Sequence, residues 1–116
     1  ILRFDAQVYT FKASETDTDG GHGPCYRCIF PEPPPEGQIP TCAEAGVLGA
    51  MCGMAGSIQA TEVIKELLGI GESLSGSLLL CDGLSATFRK IAVRPDPACP
   101  LCGENPSITD LENHKG

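Results

Sequence analysis

A chain of 116 residues, 41% hydrophobic and 20% charged, is long enough for one folded domain with a modest core and lies outside the compositional range of disordered chains. Its net charge of −7 and pI near 4.6 argue against a broad affinity for nucleic acid or anionic membranes, which needs clustered Lys and Arg. Seven cysteines leave one thiol over from any fully paired disulfide framework, and no charged segment followed by an apolar one marks a secretory leader, so a reducing, cytoplasmic setting is expected.

The chain opens on Ile1 inside an extended apolar pattern, which reads as a chain cut from a longer one; trimming by a processing enzyme is the alternative. Leu2, Phe4, Ala6 and Val8 alternate with Arg3, Asp5 and Gln7, the period of a half-buried strand. Residues 12–23 are polar and acidic, with Glu15, Asp17, Asp19 and the Gly20-Gly21 pair, and are expected to form a surface loop. Between Pro31 and Pro40 the prolines fix φ and remove donors, which predicts a rigid extended crossing segment rather than helix or interior strand; a proline-rich docking peptide is the alternative.

Residues 46–68 are the one long helix candidate, with apolar Val47, Leu48, Met51, Met54, Ile58, Val63, Ile64, Leu67 and Leu68 and a Gly69 stop. Gly46, Gly49, Gly53, Gly56 and Ala60 form a smooth stripe along it, against which a close neighbour is expected in a core or a dimer interface. The uncharged stretch 45–61 sits at the short edge of membrane-spanning length. It contains Ser57 and Gln59, is flanked by Glu44 and Glu62, and carries glycines that would each weaken an isolated helix by roughly 1 kcal/mol, so a membrane span is rejected. Residues 77–81 then read as a buried strand, Asp82-Gly83 as a turn and residues 84–93 as a second strand, with either a bulge or a strand end near Lys90.

The strongest chemical signal is Cys25-Tyr26-Arg27-Cys28 together with Cys99-Pro100-Leu101-Cys102-Gly103. Zinc accepts four thiolates tetrahedrally, and each Cys-x-x-Cys turn can aim two of them at one point, often with a following Gly to permit the turn. About 70 residues separate the pairs, so the metal is expected to tie the two ends of the folded chain together. A redox Cys-x-x-Cys or two disulfides are the competing readings, and neither pair stands in a thioredoxin-like strand-to-helix context. Cys52 and Cys81 read as small core residues. Cys42, between the proline segment and the helix, is the best nucleophile candidate, because amides at a helix start can stabilise a thiolate; an inert loop cysteine is the bland alternative.

Cys25-x-x-Cys28, Phe30-Pro31-Glu32, Thr41-Cys42, Gly46-Val47-Leu48-Gly49, Gly53, Gly56-Ser57-Ile58-Gln59-Ala60, Glu62, Lys65 and Cys99-Pro100-Leu101-Cys102-Gly103 together closely resemble the C-terminal half of the MoeB/ThiF/HesA family, over residues 1–103. These are bacterial E1-like enzymes that adenylate a ubiquitin-like sulfur carrier for molybdopterin or thiamine synthesis. The resemblance implies an α/β fold: the C-terminal part of a Rossmann-like E1 adenylation domain, with strands, one long Gly-rich helix and a zinc site of Cys25, Cys28, Cys99 and Cys102, followed by a polar tail over residues 104–116. It also implies that Cys42 starts or borders the crossover segment under which the carrier's Gly-Gly tail threads; some relatives form a covalent linkage there and others dispense with it. A homodimer is expected on the same ground.

Family members activate the carrier's terminal carboxylate with ATP and magnesium, releasing pyrophosphate and leaving an acyl-adenylate. The phosphate-binding turn, the acidic magnesium ligand and the cationic groups of that chemistry lie largely upstream of the resembling region, and this sequence holds no Gly-x-Gly-x-x-Gly. ATP and magnesium are therefore expected only with an N-terminal half. A non-catalytic, zinc-stapled module that docks a ubiquitin-like partner or dimerises is the second reading, and a thiol–disulfide protein the third.

Overall fold

A computed structural model describes residues 1–12, 23–35 and 37–112. The acidic loop expected over residues 12–23 falls almost wholly outside the described residues, as does the end of the tail. The chain forms β1 (Asp5–Tyr9), α1 (Tyr26–Ile29), α2 (Cys42–Ala45), α3 (Gly49–Leu68), β2 (Ser77–Asp82) and β3 (Thr87–Ala92). It divides into two compact units, one from Ile1–Thr10 and Pro34–Ala92, the other from Phe11–Pro33 and Val93–Gly116.

The first unit is a three-stranded antiparallel sheet in the order β1-β2-β3, with α3 packed on β1. Alternation along β1 buries Ala6 and Val8 and exposes Asp5 and Gln7, as the period of two requires. These two residues pair across to Cys81 and Leu79 of β2. With Met51 and Ala55 of α3 and Leu74 of the following loop they form the core, and Met54, Ile58 and Leu79 pack at its margin. Alanines at positions 6 and 55 let the helix lie close on the strand.

The strand begins at Asp5 rather than Leu2. Leu2 and Asp5 exchange two backbone hydrogen bonds of 3.0 Å around Arg3, which adopts φ +54, so the apolar alternation of the first four residues belongs to a tight turn that leaves Phe4 exposed. The same turn sets the helix start. Arg3 N–H donates to the Gly46 carbonyl (3.0 Å) and Leu48 N–H to the Arg3 carbonyl (2.9 Å), pairing Arg3 with Val47 in a parallel bridge. Gly46 takes φ +80 to allow this. Residues 46–48 are thereby withdrawn from the expected helix, and α3 starts at Gly49 with Leu48 as an extended N-cap.

Its other end falls where the sequence places it: Gly69 is left-handed at φ 64, and the Ile70 amide donates to the Lys65 carbonyl. Only Met51, Ala55 and Glu62 of α3 are buried. A Cβ added at Gly49, Gly53 or Gly56 would meet nothing within 4 Å, so the expected close neighbour of the glycine stripe is not found among the described residues. Ser57 and Thr61 turn their hydroxyls back onto the Gly53 and Ser57 carbonyls, at 2.9 Å each. No helix among the described residues is long and apolar enough to cross a membrane.

The hairpin turn is wider than Asp82-Gly83. Asp82 pairs with Thr87, four residues form the loop, and Ala86 adopts φ +55, so β3 starts at Thr87 rather than at residue 84. Register is unbroken from Ser77↔Ala92 to Asp82↔Thr87, which rules out both a bulge and a strand end at Lys90. The change of alternation in the sequence arises because residues 84–86 belong to the loop and not to β3. Gly83 is needed as glycine: a Cβ there would lie 2.6 Å from the Met51 sulfur and 2.8 Å from the Phe4 carbonyl oxygen, which accepts the Gly83 amide. Between Pro31 and Pro40 the described residues form neither helix nor strand, as the prolines dictate.

One buried charge was not foreseen. Glu62 lies on the buried side of α3, paired with Lys65 and accepting the Leu74 amide at 3.1 Å. Burial alone would push its carboxyl up, but the Lys65 hydrogen bond, the Leu74 amide and the Lys65 charge together hold it below the ordinary 4.5. It thus ties the helix to the loop that delivers Leu74 to the core.

Candidate metal centre

All four cysteines of the two Cys-x-x-Cys motifs lie in the second unit, and their sulfurs all fall within 4.8 Å of one another. The first pair is presented by a single helical turn. Cys25 is the extended N-cap of α1, the Cys28 amide donates to its carbonyl at 3.1 Å, and the two sulfurs end 3.9 Å apart. The second pair is presented by a tight loop in which the Cys99 carbonyl accepts the Gly103 amide at 3.1 Å. The amides of Leu101 and Cys102 point at the Cys99 sulfur, at 3.4 and 3.5 Å. Between the pairs, the sulfurs of Cys25 and Cys99 are 3.6 Å apart and those of Cys28 and Cys102 3.4 Å.

Four thiolates around a tetrahedral ion with metal–sulfur bonds of about 2.3 Å stand about 3.8 Å apart, so these separations fit one shared ion. They do not fit disulfides, whose sulfurs are about 2.05 Å apart, and all four cysteines are free. Burial is uneven: Cys99 is fully enclosed and Cys25 nearly so, while Cys28 and Cys102 remain partly open. The site can therefore hold a metal ion shielded on the side of Cys25 and Cys99, the first cysteine of each pair, and more open on the side of Cys28 and Cys102.

The electrostatics suit a cation. Burial pushes the Cys25 thiol up, and burial plus the neighbouring cysteines push Cys102 up. Burial acts the same way on Cys99, but the Cys102 and Leu101 amides together with the Cys25 and Cys102 thiols outweigh it and hold that thiol down at about 7. Crowded thiols that resist joint ionisation are the arrangement a divalent cation relieves.

Gly103 makes the loop possible through space rather than through backbone torsion. A Cβ at this position would lie 2.5 Å from the Pro97 oxygen, 2.6 Å from the Cys99 oxygen and 2.7 Å from the Cys99 nitrogen. Further along, the Glu104 amide donates to the Pro97 carbonyl at 3.0 Å, and those of Ser107 and Ile108 to the Pro100 carbonyl at 2.9 Å, so the chain after Gly103 continues to brace the loop. Beside the first pair, the Tyr26 ring stacks at 5.1 Å from Phe30 and 5.9 Å from Phe11, with the Arg27 guanidinium 5.5 Å above it.

The remaining cysteines fare differently. Cys81 is a buried core residue, as expected, and burial raises its thiol. Cys52, expected in the core, is exposed: it follows Met51 by one position and so points about 100° away from the buried side of α3. Cys42 opens α2 in the sheet–helix unit, where the Thr41 hydroxyl accepts the Glu44 amide at 3.2 Å; the Cys42 side chain lies outside the described residues.

A small antiparallel sheet backed by one helix, joined in sequence to a four-cysteine cluster, defines an α/β chain with a candidate structural metal centre. The ThiF family matches residues 1–101, and the chain belongs to that family. It is 50% identical over 115 residues to the sulfur carrier protein adenylyltransferase of Thermus thermophilus, covering 99% of this chain and 42% of that protein. To the adenylyltransferase and sulfurtransferase MOCS3 of Sus scrofa it is 46% identical over 116 residues, 99% of this chain and 24% of that one. To the SAMP-activating enzyme E1 of Haloferax volcanii it is 48% identical over 107 residues, 90% of this chain and 39% of that one. The chain thus spans between about a quarter and about two fifths of the length of these curated relatives.

Proposed function

We propose that this chain is the zinc-stapled C-terminal portion of an ATP-dependent adenylyltransferase that activates the C-terminal glycine of a ubiquitin-like sulfur carrier as an acyl-adenylate for sulfur transfer. The observation that carries the reading is the gathering of four cysteine sulfurs within 4.8 Å from two segments about 70 residues apart, inside a chain matched by the ThiF family over residues 1–101. Relatives named for adenylyltransferase and E1 activities support the reaction class.

Cys25, Cys28, Cys99 and Cys102 hold the metal, and zinc is the ion that an all-thiolate tetrahedral set favours. Bound there, zinc supplies structure rather than reactivity, because four protein ligands leave it no open position. Residues 1–103 form the zinc-binding portion and 104–116 a polar tail. The antiparallel strands complete a Rossmann-like sheet supplied by the rest of the protein, which also binds ATP and magnesium; this sequence contains no Gly-x-Gly-x-x-Gly. Cys42 starts or borders the crossover segment under which the carrier's tail threads and is the candidate thiol for covalent sulfur or acyl chemistry. The assembly is a homodimer, and the free thiols suit a reducing compartment such as the cytoplasm.

The test is exchange of labelled pyrophosphate into ATP by the complete natural protein with a purified ubiquitin-like carrier. Exchange that depends on the carrier, and that this chain alone does not support, is the expected result. Carrier binding without exchange by the complete protein would replace the enzyme with a non-catalytic docking module.

A further inference from the structure

Asp96 belongs to neither Cys-x-x-Cys motif, yet three of its groups meet the cluster or the loop that builds it. Its backbone N–H points at the Cys28 sulfur at 3.4 Å, reaching across to the first pair. Its carboxylate Oδ1 accepts the Ala98 amide at 2.9 Å, closing a side-chain turn over Pro97. Its carbonyl accepts the Cys99 amide at 2.9 Å, which sets the direction in which the fully buried Cys99 enters the site. Pro95 and Pro97 on either side have restricted φ and no amide to offer, so between them only Asp96 can supply a backbone donor to a sulfur.

We infer that Asp96 is the positioning residue of the metal centre: its carboxylate locks the 96–99 turn, and the locked turn aims one amide at Cys28 of the first pair while orienting Cys99 of the second. The inference rests on the reading that the four cysteines hold a metal. It follows from the general behaviour of metal sites, in which groups bonded to the ligands fix ligand orientation and their loss costs about 10- to 100-fold in metal affinity. The role is geometric. A negative carboxylate beside four thiolates opposes their charge, so it is the hydrogen bond accepted by Oδ1, and not the charge, that favours the site.

Charge and geometry are separated by two substitutions in the full natural chain. Asp96→Ala removes the acceptor; Asp96→Asn keeps an oxygen acceptor and removes the charge. Zinc affinity is read by competition with a chromophoric chelator, alongside the thiolate-to-metal absorption of the cobalt(II)-loaded protein. The expected result is about 10-fold or weaker zinc binding and an altered cobalt spectrum in D96A, with D96N within about 3-fold of the wild type and spectrally unchanged. D96A binding zinc as tightly as the wild type would overturn the inference while leaving the metal centre standing. D96N as weak as D96A would overturn the geometric role in favour of charge. A wild type that takes up no zinc would remove the metal reading and this inference together.

Discussion

The sheet–helix unit closes on the side chains of Ala6, Val8, Met51, Ala55, Leu74 and Cys81, whereas the only buried described residues of the cysteine unit are Pro24, Cys25 and Cys99. One region is held by apolar contact between a helix and a strand. Among its described residues the other shows no apolar core, and it gathers four thiols drawn from two distant segments. Burial of a handful of aliphatic groups at about 25 cal/mol per Å² can stabilise the first; a metal ion held by the four thiols would give the second a cross-link without an oxidant. With a metal in the cysteine unit, one short chain would use two stabilising chemistries that respond to different perturbations, and each can be perturbed separately.

The largest expected effect is metal removal. Structural zinc contributes on the order of 10 kcal/mol in small thiolate sites, so chelation is expected to collapse amide protection in residues 23–33 and 93–108 while β1–β3 and α3 keep theirs, as read by hydrogen exchange with mass spectrometry. Equal loss in both units would erase the distinction. Met51→Ala strikes the other region: it leaves a cavity against Ala6 and Cys81 and is expected to cost about 2 to 5 kcal/mol by denaturant unfolding, with metal content unchanged.

Gly103→Ala is expected to cost about 1 to 3 kcal/mol, because its Cβ meets backbone atoms that cannot move aside cheaply. That cost should appear as weaker metal binding in chelator competition and leave the sheet–helix core unaffected. Glu62→Gln comes next, at about 1.5 kcal/mol, from weakening the pairing with Lys65 and Leu74. Because the folded carboxyl is held below 4.5, its stabilisation is present above that pH and is lost as pH falls through the lower folded value. An acid titration of unfolding should therefore be shallower in Glu62→Gln than in the wild type, and an identical slope would deny the pairing its role. Cys42→Ala should change metal content and stability least, by under about 0.5 kcal/mol; loss of metal in that variant would overturn the four-cysteine assignment.

The gathering of four cysteines was legible in the sequence because two Cys-x-x-Cys turns, the second with a trailing glycine, restrict the chain locally, and local restriction survives without knowledge of the fold. Ala6 and Val8, the Gly69 stop and β2 were legible for the same reason: their periods and caps are set within a few residues. What escaped was decided by contacts across the chain. Gly46 looks like one more member of a helical glycine stripe until Arg3 draws its carbonyl into a bridge, and the Asp82-Gly83 turn looks complete until the pairing of Asp82 with Thr87 widens it. Glu62 carries no sequence sign of burial, since its Leu74 partner lies 12 residues on. Asp96 was silent because a backbone amide aimed at a sulfur 68 positions away leaves no mark on residue type.

The most direct test of the contrast between the two units is the mass of the protein under non-denaturing conditions, before and after chelation, with thiol alkylation in each state. One zinc per chain, with Cys25, Cys28, Cys99 and Cys102 protected until the metal is stripped, is the expected outcome. Four thiols that alkylate freely in the untreated protein, or that are found paired as disulfides, would contradict it.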